Sequence, residues 1–121
     1  MATSNALKLP PQDLQAEKSV LGAVLIDPSA INLVIEFLRP QDFYAPEHQA
    51  IFSSMMTLYE KQQPIDVVTL QNAMKKDGGL KKIGGTSYLS DLINTVPSSA
   101  YVEHYGNIVK DHNTKRRLIE L

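Results

Sequence analysis

The side chains that could do chemistry in this sequence are scattered histidines, serines and carboxylates. His48, His104 and His112 are its 3 histidines. His104 and His112 lie eight residues apart, too far along one helix to share a small metal ion, because a helix rises ~1.5 Å per residue. The spacing therefore predicts no metal site. We expect His48 to hydrogen-bond a backbone or side-chain oxygen instead.

Motifs for nucleophilic catalysis and for nucleotide binding are absent as well. A serine nucleophile needs a histidine and an orienting carboxylate, and Ser53, Ser87 and Ser99 lie in no elbow motif. No G-x-x-x-x-G-K-[ST] loop is present to hold nucleotide phosphates. Gly78-Gly79 and Gly84-Gly85 are typical of helix ends and turns. The sequence predicts no catalytic residue and no cofactor site in this chain.

Four lysines, Lys75, Lys76, Lys81 and Lys82, form the main basic cluster. Cations near a helix C-terminus are favoured by its dipole, so the cluster is either a solvated helix end or a weak phosphate-contacting patch. The second interpretation keeps open an alternative function, an independent helical DNA-binding module. However, 12 basic and 13 acidic residues give a net charge of -1, and proteins that hold a nucleic-acid backbone usually carry a basic excess.

Length and composition indicate one soluble intracellular domain. The 121 residues fit a single core. There is no cysteine for a disulfide or a thiolate metal site. No apolar run approaches the ~20 residues that cross a bilayer, and residues 1–8 lack the core of a signal peptide. We expect a cytoplasmic protein without a membrane partner.

Apolar spacing and start signals predict three helices in the first half. The first is expected over 13–26. Asp27-Pro28 is a helix start signal and predicts a second helix ending before Pro40. The third is expected to begin at Pro46 and to reach about Lys61. Residues 1–12 are expected to be a flexible lead-in.

The second half predicts three further helices. Asp66 is expected to cap the fourth, which ends at Gly78-Gly79. Residues 80–83 are expected to form only a turn, and Thr86 is expected to cap a short fifth helix ending before Pro97. The last helix is expected within 98–121. Its apolar pattern continues to the final residue without a stop signal, which suggests a truncated helix. The predicted fold class is all-α, a compact bundle of about six short helices.

The most diagnostic stretch is Asp42-Phe43-Tyr44, followed by His48 and Ile51-Phe52. We expect Phe43 to fill the junction between the second and third helices. Asp42 is expected to bond backbone N–H groups near the start of the third helix.

This stretch and the segments around it resemble the amino-terminal domain of the DnaB family of bacterial replicative helicases. The resemblance is carried by the common order of Ala16-Glu17 and Val20-Leu21-Gly22; Asp42-Phe43-Tyr44, His48 and Ile51-Phe52; Pro64-Ile65-Asp66 and Thr69-Leu70; Gly84-Gly85 and Tyr88-Leu89; Pro97-Ser98; Tyr105 and Ile108-Val109; and Arg117-Leu118-Ile119. The sequence departs from the family pattern at Gln15, Tyr101 and Gly106, and the glycine is expected to loosen the last helix.

The resemblance implies a helical head over 13–97 and the start of a helical hairpin over 98–121, with a RecA-like ATPase domain outside this chain. ATP and Mg²⁺ would bind only in that motor domain. The implied function is a non-catalytic collar domain for ring assembly and for recruitment of primase and the helicase loader. The implied partners are the other subunits of a homohexamer, primase and the loader, with single-stranded DNA contacted mainly through the parent ring.

Candidate partner-interface residues follow from the resemblance and from the last helix. By resemblance, Tyr88 and Ile119 are expected to contact primase or a neighbouring subunit. Tyr88 has an equally good interpretation as a core aromatic with its hydroxyl at the surface. Ile108, His112 and Arg116 complete the candidate set; Ile108, Val109, His112 and Ile119 form an apolar stripe longer than a small domain needs for its own core.

Overall fold

The computed structural model describes residues 9–76 and 78–120, and these residues form only helices, turns and loops. The expected all-α fold is confirmed. The α-helices are α1 (Leu14–Ile26), α2 (Pro46–Glu60), α3 (Val67–Lys75), α4 (Gly79–Lys82), α5 (Thr86–Ile93) and α6 (Val102–Glu120), with 3₁₀-helices at Pro28–Leu33 and Pro40–Asp42.

Short polar side chains start two of the long helices where the sequence predicted. The carboxylate of Asp13 accepts from the N–H of Ala16 at 2.9 Å and caps α1. At α3, Asp66 accepts from the N–H of Thr69, and the Thr69 hydroxyl accepts from the N–H of Asp66. These caps satisfy backbone donors that a helix start leaves free. The predicted starts of α1, α2 and α3 and the predicted ends of α1 and α2 are confirmed within a residue. The helix α3 ends at Lys75, before the predicted Gly78-Gly79.

The second predicted helix was wrong in type. Asp27 caps a 3₁₀-helix that ends at Leu33, and turns follow it to Phe37. Ile31 and Val34 are buried. Their spacing of three residues suits a 3₁₀-helix as well as an α-helix, so periodicity could not distinguish the two.

Two expectations around the glycine pairs were also wrong. Residues 79–82 form the short helix α4 rather than a turn. Gly85, not Thr86, is the N-cap residue of α5, with φ of 79° and no side-chain cap. A positive φ is a conformation that glycine adopts without steric cost, which explains the glycine at this boundary.

The core lies around α1, which packs on α6 and on α5. Val20, Leu21 and Val24 are fully buried there. The approach of α1 to α5 is close, because a Cβ at Gly22 would overlap the carbonyl oxygen of Leu92. Gly22 is thus a packing residue.

The last helix packs on the head through its first half. Val102 and Val109 are buried, and Gly106 lies against the side chains of Val34, Phe37 and Leu38, which follow the first 3₁₀-helix. The helix continues through this glycine, whose missing side chain admits those neighbours. Part of the expected lead-in, residues 1–8, lies outside the described residues. The division into lead-in, head and hairpin stays a prediction.

Candidate partner-binding site

A buried relay of three side chains joins α1, α2 and α5. Glu17 of α1 is 1% exposed, and its carboxylate accepts from the N–H groups of Tyr44 at 2.6 Å and Ala45 at 3.3 Å. His48 places Nδ1 2.7 Å from Glu17 Oε1 and Nε2 2.6 Å from the hydroxyl of Tyr88. Tyr44 and Ala45 immediately precede α2, and Ala45 is its N-cap without a side-chain acceptor, so Glu17 holds the segment that leads into α2 from another helix.

Tyr88 ends this relay at the surface. Its ring is half-buried and stacks on the His48 ring, with centroids 6.0 Å apart and an interplanar angle of 22°. Burial raises the pKa of the Tyr88 hydroxyl above its usual range, and the charges of Glu47, Glu17 and Asp91 raise it further. The ring thus packs in part, as the core interpretation expected, and the contact of Tyr88 with a partner stays a prediction.

A second buried carboxylate, Asp42, fastens α6 to the turn before α2. It accepts from the backbone N–H of Arg39 at 2.7 Å and from the amide of Asn113 at 2.7 Å. Lys110 adds an ion pair at 3.3 Å. Asp42 was expected to bond N–H groups near the start of α2. That expectation was wrong, because Glu17 occupies this role and Asp42 bonds the preceding 3₁₀-helix. Phe43 is fully buried against Phe52 as expected.

Arg116, predicted as a partner contact, is engaged within the chain. Its guanidinium donates to the carbonyl oxygens of Pro11 and Asp42, each at 2.7 Å. It also lies 5.5 Å from the centroid of the Tyr44 ring. A cavity of about 580 Å³ adjoins this cluster, and Ile119 forms part of its wall. The structure thus gives Arg116 a role in joining three segments of the fold.

The remaining candidates lie on α6. Ile119 is 70% exposed, and Ile108 and His112 are half-buried. Nδ1 of His112 is buried and has no hydrogen-bond partner among the described residues. Val109, which was included in the expected stripe, is buried and belongs to the inner face. We call Tyr105, Ile108, His112 and Ile119, together with Tyr101 just before the helix, the outer face of α6.

The five candidates do not form one site. Arg116 and Ile119 share the cavity beside Tyr44, and Ile108 lines a different cavity of about 220 Å³ with Ala16 and Val96. Tyr88 lies on α5 and lines neither. Their roles in partner binding stay predictions.

Sequence reasoning missed Glu17 and Asn113 as buried polar residues. Glu17 stands among the apolar residues of α1, one position after Ala16 and three before Val20, so its place in the buried stripe was readable. Its partner His48 lies 31 residues away and could not be assigned from local pattern.

Within 9–76 and 78–120, no group of three or more His, Cys, Asp or Glu residues is arranged to hold a metal ion. None of the helices described is both long enough and apolar enough to span a bilayer.

Comparison with known proteins then identifies the family. The model of the DnaB-like helicase N-terminal domain matches residues 9–111. This chain belongs to that family. It is 43% identical over 112 residues to the replicative DNA helicase DnaC of Bacillus subtilis, a match that covers 93% of this chain and 25% of the relative. The DnaB helicase of Mycobacterium leprae is 45% identical, with 92% of this chain and 18% of the relative covered.

Solved structures of the DnaB family show the same fold. The N-terminal domain of DnaB helicase from Mycobacterium tuberculosis matches with a TM-score of 0.90 and 46% identity, covering 93% of this chain and 78% of that one. A second solved structure is that of a DnaB-like replicative helicase and its interactions with primase. It matches with a TM-score of 0.78 and 29% identity, covering 89% of this chain and 25% of that one. The chain spans about a quarter of the length of its first two curated relatives.

Proposed function

We propose that this chain is the amino-terminal collar domain of a ring-forming replicative DNA helicase. In this role it supports assembly of the homohexamer and recruits primase and the helicase loader. The observation that carries the proposal is the family membership combined with the small share of each relative that the chain covers. Such a domain acts by holding other proteins rather than by chemistry of its own.

The outer face of α6 supports the assembly role. Tyr101 and Ile119 are 65% and 70% exposed. Tyr101, just before the helix, lies seven residues before the half-buried Ile108, and Ile119 lies eleven after it. At 3.6 residues per turn both spacings return to nearly the same side of the helix. Burying a large aliphatic side chain contributes ~1.5–3 kcal/mol, so a few such residues can sustain a contact with another helix. We propose that this helix begins a hairpin that pairs subunits.

ATP hydrolysis and DNA unwinding belong, in this proposal, to a RecA-like motor domain in the remainder of the parent chain. ATP and Mg²⁺ would bind there, and single-stranded DNA would be held mainly by the parent ring. The net charge of this chain is -1. This value agrees with a minor share of DNA contact, because an excess of basic residues favours the binding of phosphates.

The test compares the full parent protein with a version that lacks residues 9–120. We expect the deletion to retain ATPase activity, to lose co-sedimentation with primase and to weaken ring assembly in analytical ultracentrifugation. The isolated domain should show no ATP hydrolysis. Undiminished primase binding after the deletion, or contaminant-free turnover by the domain, would contradict the proposal.

A second comparison addresses the hairpin. A longer piece of the parent chain, extending past residue 121, should self-associate more strongly than this one, because it adds the helix that the outer face of α6 would contact. Ile119→Ser in the longer piece should reduce that association, while Thr114→Ser, on an exposed position of the same helix, should not. Equal association of the short and long pieces would argue against the hairpin.

A further inference from the structure

The cavity beside Tyr44 has the dimensions of a ligand site. Its volume is about 580 Å³, within the range of about 300–1,000 Å³ that small-molecule pockets occupy. Its lining comes from α6 within 110–119, from the segment 41–44, from Gln49 of α2 and from Pro10. The cavity therefore lies where segments far apart in the sequence meet.

The charged side chains of the lining leave a surplus of positive charge. Asp42 is acidic, whereas Lys110, Arg116 and Arg117 are basic. The carboxylate of Asp42 is already engaged, because its two oxygens lie 3.3 and 3.4 Å from Nζ of Lys110 and also accept from N–H groups of the protein. One carboxylate thus offsets one ammonium, and the charges of the two arginines remain.

Arg116 is half-buried and contacts only neutral groups among the described residues. Its guanidinium donates to the carbonyl oxygens of Pro11 and Asp42 and to the amide oxygen of Asn113, and it lies against the Tyr44 ring. These bonds use three of its five N–H donors. No carboxylate within 9–76 or 78–120 forms an ion pair with it. Because a partly desolvated cation without a counter-charge is unfavourable, an anion is held more strongly here than at an exposed arginine.

The other cations of the cavity can be reached from outside. The side chain of Lys110 is 43% exposed, and Arg117 is exposed. Guanidinium groups hold phosphate oxygens through paired N–H donors. Tyr44 and the 70% exposed Ile119 add apolar surface to the same lining. The cavity thus combines a cationic part for a phosphate with an apolar part for an uncharged group.

We propose that this cavity binds a small phosphorylated molecule of nucleotide size. Arg116 and Arg117 donate to the phosphate oxygens, Lys110 adds a third positive charge, and the side chains of Tyr44 and Ile119 pack against the uncharged part of the ligand. A nucleic-acid backbone carries the same chemical group, but the net charge of -1 disfavours extended phosphate contact. The inference goes beyond the proposed function and is independent of it, since binding needs neither primase nor a ring.

The test uses the 121-residue chain, which has its own core and no G-x-x-x-x-G-K-[ST] loop. Titration with adenosine monophosphate, followed by NMR, should shift the side-chain N–H signals of Arg116, Arg117 and Asn113. At about ten times the Kd, the ligand should raise the melting temperature by about 4–8 °C. Adenosine lacks the phosphate and should bind at least about tenfold more weakly. Unshifted signals at these side chains, or equal affinities for the two compounds, would overturn the proposal.

Substitutions on α6 separate a specific site from general attraction to a basic helix. Arg117→Gln should weaken binding of adenosine monophosphate about tenfold, because it removes charge-assisted hydrogen bonds. Lys115→Gln is the matched control, since it also removes one charge from an exposed position of α6 but lies outside the cavity lining. Its affinity should change by less than about twofold, because solvent and salt screen exposed charges. Equal weakening by both substitutions would overturn the proposal.

Arg116→Gln should abolish binding, with circular dichroism checking the fold because Arg116 also joins segments of the chain. If that variant does not fold, Arg117→Gln still decides the test, since it leaves the bonds of Arg116 in place. A single-stranded oligonucleotide without a terminal phosphate distinguishes the two sources of phosphate. We expect it to bind more weakly than adenosine monophosphate. Shifts of the same side chains at equal or higher affinity would assign the cavity to a DNA strand and overturn the small-molecule proposal.

Discussion

The close approach of α1 and α5 makes Gly22→Ala the sharpest test of the packing. A Cβ at this position would overlap the carbonyl oxygen of Leu92 and lie 3.1 Å from its carbonyl carbon. Both are backbone atoms of α5, so no side-chain rotation can relieve the overlap. Overpacking lowers the free energy of unfolding by ~1–3 kcal/mol, and we expect this site to lie at the upper end of that range. In the opposite direction, alanine stabilises a helix interior by ~1 kcal/mol relative to glycine.

We therefore expect Gly22→Ala to lower the free energy of unfolding by about 2 kcal/mol, and the melting temperature by about 6–10 °C. Urea unfolding followed by circular dichroism should show a lower midpoint with an unchanged slope.

Gly106→Ala is the matched control. Its Cβ would meet Val34 Cγ1 at 2.9 Å and Phe37 Cζ at 3.1 Å, and these side-chain ends can move. The gain in helix propensity then offsets the crowding, and we expect a change below about 1 kcal/mol. A Gly22→Ala variant as stable as the unsubstituted chain, or less harmed than Gly106→Ala, would refute the reasoning.

The buried polar groups give the remaining predictions. Glu17→Gln should lower the free energy of unfolding by about 3 kcal/mol. The buried partner of His48 loses its charge, and an amide NH₂ replaces one of the two oxygens that accept from backbone N–H groups. Asp42→Asn should lower the free energy of unfolding by about 1–3 kcal/mol, because it disturbs the bonds from the N–H of Arg39 and the amide of Asn113. Loss of the ion pair with Lys110 should add little, because the Lys110 side chain is exposed. Tyr88 should titrate above the ordinary tyrosine range in an absorbance titration of the phenolate. Since its folded pKa is raised, its contribution to stability is full below the unfolded pKa of about 10 and is lost as pH rises through the folded pKa.

Exposed residues of the same types serve as controls for these changes. Glu60→Gln and Asp111→Asn alter surface carboxylates, and their effects should stay within about 0.5 kcal/mol. Tyr88→Phe should remove the part of the alkaline destabilisation that belongs to Tyr88. Equal losses for Glu17→Gln and Glu60→Gln would show that the relay adds nothing to stability.

Local chemistry explains which parts of the fold could be predicted. Asp13 and Asp66 cap helices through bonds to residues three positions away, and such contacts can be deduced from sequence. The 3₁₀-helix after Asp27 was missed because its apolar spacing fits two helix types. The site depended on contacts between distant residues, such as Tyr88 with His48, 40 positions apart, and no local pattern encodes that pairing.

These pairings between residues far apart in the chain also explain why Asp42-Phe43-Tyr44 and His48 are diagnostic of the family without being catalytic. Each polar group in this segment is matched by a residue from another element, Glu17 from α1, Tyr88 from α5 or Asn113 from α6. Replacing any one of them leaves a buried polar group unpaired, which is costly. A polar network that holds four helices at fixed positions also holds the Tyr88 hydroxyl and the outer face of α6 in a constant relation. In the proposed docking role this rigidity favours binding, because a rigid surface binds its partner without first losing conformational freedom.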